Sequence, residues 1–105
     1  MTDIEFNNIT KEQLEYCESL LCKKGEEYSG DDYDRLRVFK DAAVLQGITS
    51  KQALAGMMAK HTISIYDLIL RDANGIESSK ERWIEKITDN INYLILLRAL
   101  VEENS

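Results

Sequence analysis

Three oxygen-bearing side chains toward the end of the chain, Glu85, Asp89 and Asn92, recur at steps of four and three. On a helix those steps set them in one line, with about 5–6 Å between successive Cβ atoms. Two carboxylates and an amide so arranged can share a hard cation such as Mg²⁺, which takes oxygen ligands and keeps waters that a phosphate can replace. The same stripe also reads as a solvated face, with Glu85 and Asp89 paired to Lys86, Arg82 or Lys60. Asn92 stands among isoleucines and leucines, so a buried amide there needs hydrogen-bond partners.

A second polar line lies upstream. Lys60, Ser64, Asp67 and Arg71 follow steps of four, three and four. Lys60 and Arg71 suit phosphate oxygens, and Asp67 can share a cation or fix Lys60. A charge ladder on an exposed face is the competing reading. His61 is assigned to the core or to an interface, because no carboxylate stands near it at catalytic spacing. The run Tyr28-Ser29-Gly30-Asp31-Asp32 has the composition of a calcium loop but lacks the twelve-residue pattern ending in Glu, which rejects an EF-hand. Tyr28 and Gly30 suit stacking on, and close approach to, a base; an Asp N-cap with a turn competes with that role.

These residues need helices to align them. Residues 1–9 read as a leader, and Thr10-Lys11-Glu12-Gln13 as a capping box opening a helix to about Lys24, with Gly25 as its stop or, alternatively, with the helix continuing to Tyr28. Leu14, Cys17, Leu20 and Leu21 form its inner side. A second helix is expected over about 32–46, with Leu36, Phe39, Ala43 and Leu45 toward the core and Gly47 as a left-handed stop. Thr49-Ser50-Lys51-Gln52 is another capping box. It opens a helix over about 50–71 with Leu54, Met57, Met58, His61, Ile65 and Leu68 on one face. Asn74-Gly75 marks a turn, and Ser78-Ser79-Lys80-Glu81 opens the last helix, about 79–103. From Tyr93 to Leu97 that helix is apolar all round, which predicts burial against the bundle and a second subunit.

The expected architecture is an all-α, compact four-helix bundle in one domain over 1–105. Of the 105 residues, 44% are hydrophobic, 30% are charged and none is proline, a composition that favours packed helices over disorder. The net charge of −6 repels phosphate backbones, so direct nucleic-acid binding is not expected. Cys17 and Cys22 lie five apart, on different helix faces, and read as free thiols of a reducing compartment. A single histidine makes a zinc site improbable. The polar, acidic start (MTDIEFNN) is unlike a signal peptide, and no apolar run approaches the length of a membrane span. A cytoplasmic protein is the expectation.

Four stretches in order, KKGEEYSG, VFKDAAVLQGIT, MMAKHTISIYDLI and EKITDNINYLILL, carry a resemblance. They are similar to the all-α nucleotide pyrophosphohydrolases, the MazG-like and dimeric dUTPase superfamily. More closely, they resemble small phage and prophage proteins near its nucleotide-modification-associated group. The likeness covers most of residues 20–103. It implies a MazG-like helical core, usually dimeric, that binds a nucleoside triphosphate through Mg²⁺ and cleaves it to monophosphate and pyrophosphate, with metal ions activating water and neutralising phosphate charge. Asp89 matches the aspartate of the family's final Glu-x-x-Asp pair. Lys86 falls on the glutamate of that pair and cannot ligate a cation, and Glu85 is rotated from it by about 100°. In place of the Glu-x-x-Glu pair of the preceding helix stand Lys60, Ser64 and Asp67.

Two functions follow. One is a phage-type nucleotide-binding protein, with a depleted Mg²⁺ site of Asp89, Glu85 and Asp67 and with Lys60, Asn92, Arg71 and Tyr28 on the nucleotide or its phosphates. Its enzymatic form is a nucleoside triphosphate pyrophosphohydrolase. The other is a catalytically inactive acidic interaction protein that inhibits a host factor or sequesters a signalling nucleotide. A homo-oligomer is expected in both.

Overall fold

The computed structural model describes residues 1–27 and 34–103, and of 24–27 the backbone alone. The chain is all-α. The described residues form four helices, α1 (Asp3–Glu27), α2 (Arg37–Gln46), α3 (Ser50–Ala73) and α4 (Lys80–Glu103), and no strand. It divides into two compact units, Met1–Tyr33 and Asp34–Ser105.

In the first unit, α1 begins at Asp3, so most of the expected leader is helix. A capping box is present, but at Thr2 rather than Thr10. Glu5 N–H donates to Thr2 Oγ1 at 3.2 Å, and Thr2 N–H donates to Glu5 Oε2 at 3.0 Å. Asp3 and Glu5 add negative charge where the helix dipole is positive. Thr10 is consequently mid-helix, and its hydroxyl donates to the Phe6 carbonyl at 3.0 Å. Both sites carry the T-x-x-E/Q pattern, and the earlier one wins because a helix begun at Thr2 has no reason to break before Thr10. Cys17 is buried and Cys22 exposed, both as free thiols. Leu14, expected inside, is 57% exposed.

In the second unit, Asp34 sets the start of α2. Its carboxylate accepts the Leu36 N–H at 2.9 Å, and the helix begins at Arg37, five residues later than expected. Gly47 takes φ 67°, ψ 37° and closes α2, with Ile48 N–H returning to the Ala43 carbonyl at 3.0 Å. Only a residue without Cβ adopts that left-handed conformation at little cost. The Thr49–Gln52 capping box forms as expected, with reciprocal bonds of 3.1 and 2.9 Å. Ser79 accepts the Arg82 N–H at 3.2 Å and caps α4.

α3 packs against both α2 and α4. Leu36, Phe39, Leu54 and Leu100 form the buried cluster, with Met57, Met58, Tyr93, Leu96 and Leu97 against it. Leu54 and Leu100 are almost wholly buried, each gaining about 1.5–3 kcal/mol of transfer free energy. Leu45, expected in the core, is 87% exposed. At the far side of α2, Lys40 Nζ meets Asp34 Oδ2 at 2.7 Å and also pairs with Glu103, tying α2 to the end of α4.

Candidate functional site: a histidine–aspartate pair between α3 and α4

Residues 28 positions apart in the chain meet where α3 faces α4. His61 Nδ1 lies 3.6 Å from Asp89 Oδ2, and each side chain is 24% exposed. That separation is too long for a hydrogen bond and suits an ion pair whenever the imidazole is protonated. One turn along α4, the Tyr93 ring lies beside His61, with centroids 4.7 Å apart and planes inclined by 32°. Tyr93 in turn meets Phe39 of α2 edge to face at 6.4 Å and 71°. Tyr93 thus joins the polar pair to the apolar core. Burial, and second to it the Asp89 charge, hold its phenol above the ordinary value of 10.0.

Asn90 locks the same region from the opposite flank. Its Nδ2 donates to the His61 carbonyl at 3.0 Å and to the Lys86 carbonyl at 2.7 Å. Thr62 Oγ1 approaches Asn90 Oδ1 at 3.5 Å while also donating to the Met58 carbonyl. A short amide therefore bridges two helix backbones, which fixes the height of His61 relative to Asp89. Sequence reasoning missed both the pair and the lock. Neither has a local signal, because each joins residues on different helices.

The expected metal ligands do not converge. Among the described residues no three His, Cys, Asp or Glu side chains form a group that could hold a cation. Asp89 faces His61; Asp67 is exposed on α3. The Glu85 side chain is 66% exposed, with Lys86 Nζ 4.0 Å from its Oε1. Glu85 and Asp89 remain one turn apart on α4 without a third acid. Two carboxylates alone fall short of a resident Mg²⁺ site, although a cation arriving with phosphates needs no more than one or two. Lys60 and Arg71 are exposed on α3. Tyr28 and the loop that follows it lie outside the described residues.

Asn92 answers the question its sequence context raised. It is 6% exposed, and its Oδ1 has no hydrogen-bond donor. Thr88, one turn earlier, is also buried. The polar stripe of α4 therefore divides: Glu85 is in solvent, Asp89 half-buried against His61, and Asn92 inside.

No helix among the described residues is long and apolar enough to cross a membrane. No protein-family model, no curated protein and no solved structure matches the chain. None of these comparisons links the chain to the all-α pyrophosphohydrolases.

Proposed function

We propose that the chain is an acidic helical interaction protein whose work is done by its surfaces rather than by a reaction centre. The observation that carries this reading is the exposure of large apolar side chains on ordered helices. Val44 and Leu45 at the end of α2 are 82% and 87% exposed, and Ile63, Tyr66 and Leu70 of α3 lie near 60%. Exposed apolar surface of this kind marks sites of association. Among the described residues Glu85, Asp89 and Asp67 form no group that could hold a metal ion, which agrees with the same reading. The test is pyrophosphate release from a panel of nucleoside triphosphates with Mg²⁺. Background release from every nucleotide is expected; turnover that vanishes in Asp89→Ala overturns the proposal.

One observation favours a nucleotide-binding second reading. The buried Asn92 carbonyl lacks a donor, and the exocyclic amine of a base is a donor of the right kind. In that reading Glu85 and Asp89 meet Mg²⁺ carried in on the phosphates, and Lys60 and Arg71 are cationic groups available on α3. Thermal unfolding with nucleotides, with and without Mg²⁺, tests it. A rise in Tm that is lost in both Asn92→Ala and Asp89→Ala supports nucleotide binding; no shift with any nucleotide sinks it.

A further inference from the structure

The outward face of α3 carries Gly56, Ala59, Ile63, Tyr66, Leu70 and Ala73, all exposed. Ile63 and Tyr66 are each 61% exposed and Leu70 59%. Their steps are three, four, three, four and three, the spacing of a helix-pairing seam. The seam runs about 26 Å along a straight helix. It is distinct from the buried side of α3, where Leu54 and Leu68 face the core.

This order reads the same in both directions. Around the midpoint between Ser64 and Ile65, Ile63 is balanced by Tyr66, Ala59 by Leu70 and Gly56 by Ala73. An identical helix laid antiparallel across the face therefore sets Ile63 against the second copy's Tyr66, and Leu70 against its Ala59. Large Leu70 meets small Ala59, and the outermost layer sets Gly56 against Ala73, where two helices can approach closely. The open space around Gly56, where an added Cβ would meet nothing within 4 Å, leaves room for that approach.

Charge agrees with the packing. Lys60 follows Ala59 and Asp67 follows Tyr66, so both flank the seam on the same side. Neither forms an ion pair with a described residue of its own chain. In the antiparallel arrangement Lys60 of each copy lies beside Asp67 of the other, twice by symmetry, with Arg71 of that copy one turn beyond Asp67 and about 40° farther round the helix from the seam. A parallel pairing sets like residues at the same height and forms neither pair.

We infer that the outward face of α3 is a self-association surface, and that its occupant is the α3 of a second copy, antiparallel and centred between Ser64 and Ile65. This deepens the interaction reading by naming a partner. A closed two-fold pair buries the same patch on both copies. One helix face of this length lies at the small end of specific interfaces, which places dimerisation on the order of micromolar concentrations.

Analytical ultracentrifugation of the whole chain tests the arrangement through charge. Lys60→Glu sets an acid against Asp67 of the other copy, and Asp67→Lys sets an ammonium against Lys60 of the other copy. Each is expected to weaken the dimer by about tenfold or more, since each change acts twice. An equimolar mixture of the two variants is expected to recover the dimer. In the mixed pair the introduced glutamate of one copy faces the introduced lysine of the other, and the unaltered Lys60 faces the unaltered Asp67. Circular dichroism keeps the reading clear of unfolding, as both positions are exposed. A monomeric wild-type chain at about 100 μM overturns the inference. So does a dimer indifferent to both variants, or a mixture that stays monomeric. None of these outcomes bears on pyrophosphate release, so failure here is separable from failure of the interaction reading.

Discussion

His61 Nδ1 stands 3.6 Å from Asp89 Oδ2, and the two are brought together by an amide that belongs to neither. Asn90, next to Asp89 in the chain, holds the His61 carbonyl at 3.0 Å. The pair is thus a consequence of helix register. A slide of α4 by one residue along α3 separates the groups by a further 1.5 Å or so.

Asn90→Ala removes the donation across that junction to the His61 carbonyl and the one within α4 to the Lys86 carbonyl. A loss of about 1–2 kcal/mol is expected, read as a lower urea midpoint with an unchanged slope. An unchanged midpoint would mean that the bonds are matched by solvent and that packing alone sets the register.

Asn92→Leu should behave in the opposite sense. The Asn92 carbonyl is buried without a donor, a state that costs about 1–3 kcal/mol. Replacement by an apolar side chain of similar volume is expected to leave stability unchanged or raise it by about 1 kcal/mol in chemical denaturation. A clear loss of stability would show that the amide is bonded in the folded protein.

Leu54→Ala opens a cavity in the buried cluster between α2, α3 and α4. The expected cost is about 2–5 kcal/mol, a large part of the stability of a domain this size. Leu45→Ala, at an 87% exposed position, should change the urea midpoint little. Equal losses at the two positions would contradict the assignment of the core.

Acid should act through Asp34. The Lys40 ammonium and the Leu36 N–H hold its carboxyl below the ordinary 3.8. A depressed carboxylate adds stability that is present above the unfolded value and lost as pH falls through the folded one. Lys40, held above 10.5 by Asp34 and then Glu103, has the reverse sign: its contribution is present below 10.5 and lost as pH climbs beyond. Both groups are solvent-accessible, so the effects are small. Asp34→Asn is expected to be less stable than wild type near neutral pH, and the gap should close as pH falls below the ordinary 3.8 and through the lowered value of the folded protein. A gap that persists in acid would place the contribution in packing.

Tyr93 offers a spectroscopic check on the site. Its phenol is raised first by burial and second by Asp89. In Asp89→Asn the phenol is expected to titrate at lower pH than in wild type but still above 10.0, followed by NMR of labelled tyrosine. No movement would show that Asp89 does not face the ring.

Much of the fold was legible because its signals are local. The Thr49–Gln52 box, Gly47 and Ser79 act within one turn of chain, and each stands where its residue type predicts. Where two local signals competed, reading from sequence failed: Thr10 and Thr2 carry the same pattern, and the true start is Thr2. The start of α2 was misplaced because Asp34 caps through a bond to Leu36 that no periodicity shows.

The sequence by itself determined four helices, their punctuation at Gly47, Thr49 and Ser79, and the alignment of Glu85, Asp89 and Asn92 along one of them. Those follow from backbone sterics and the period of the helix. Only the tertiary structure decided what each stripe residue meets. It placed Glu85 in solvent, set Asp89 against His61, and buried Asn92 with an unused carbonyl. Which face of α4 turns toward α3 is fixed by how Leu54, Tyr93, Leu97 and Leu100 pack together, a sum over contacts distant in the chain that no spacing within one helix encodes.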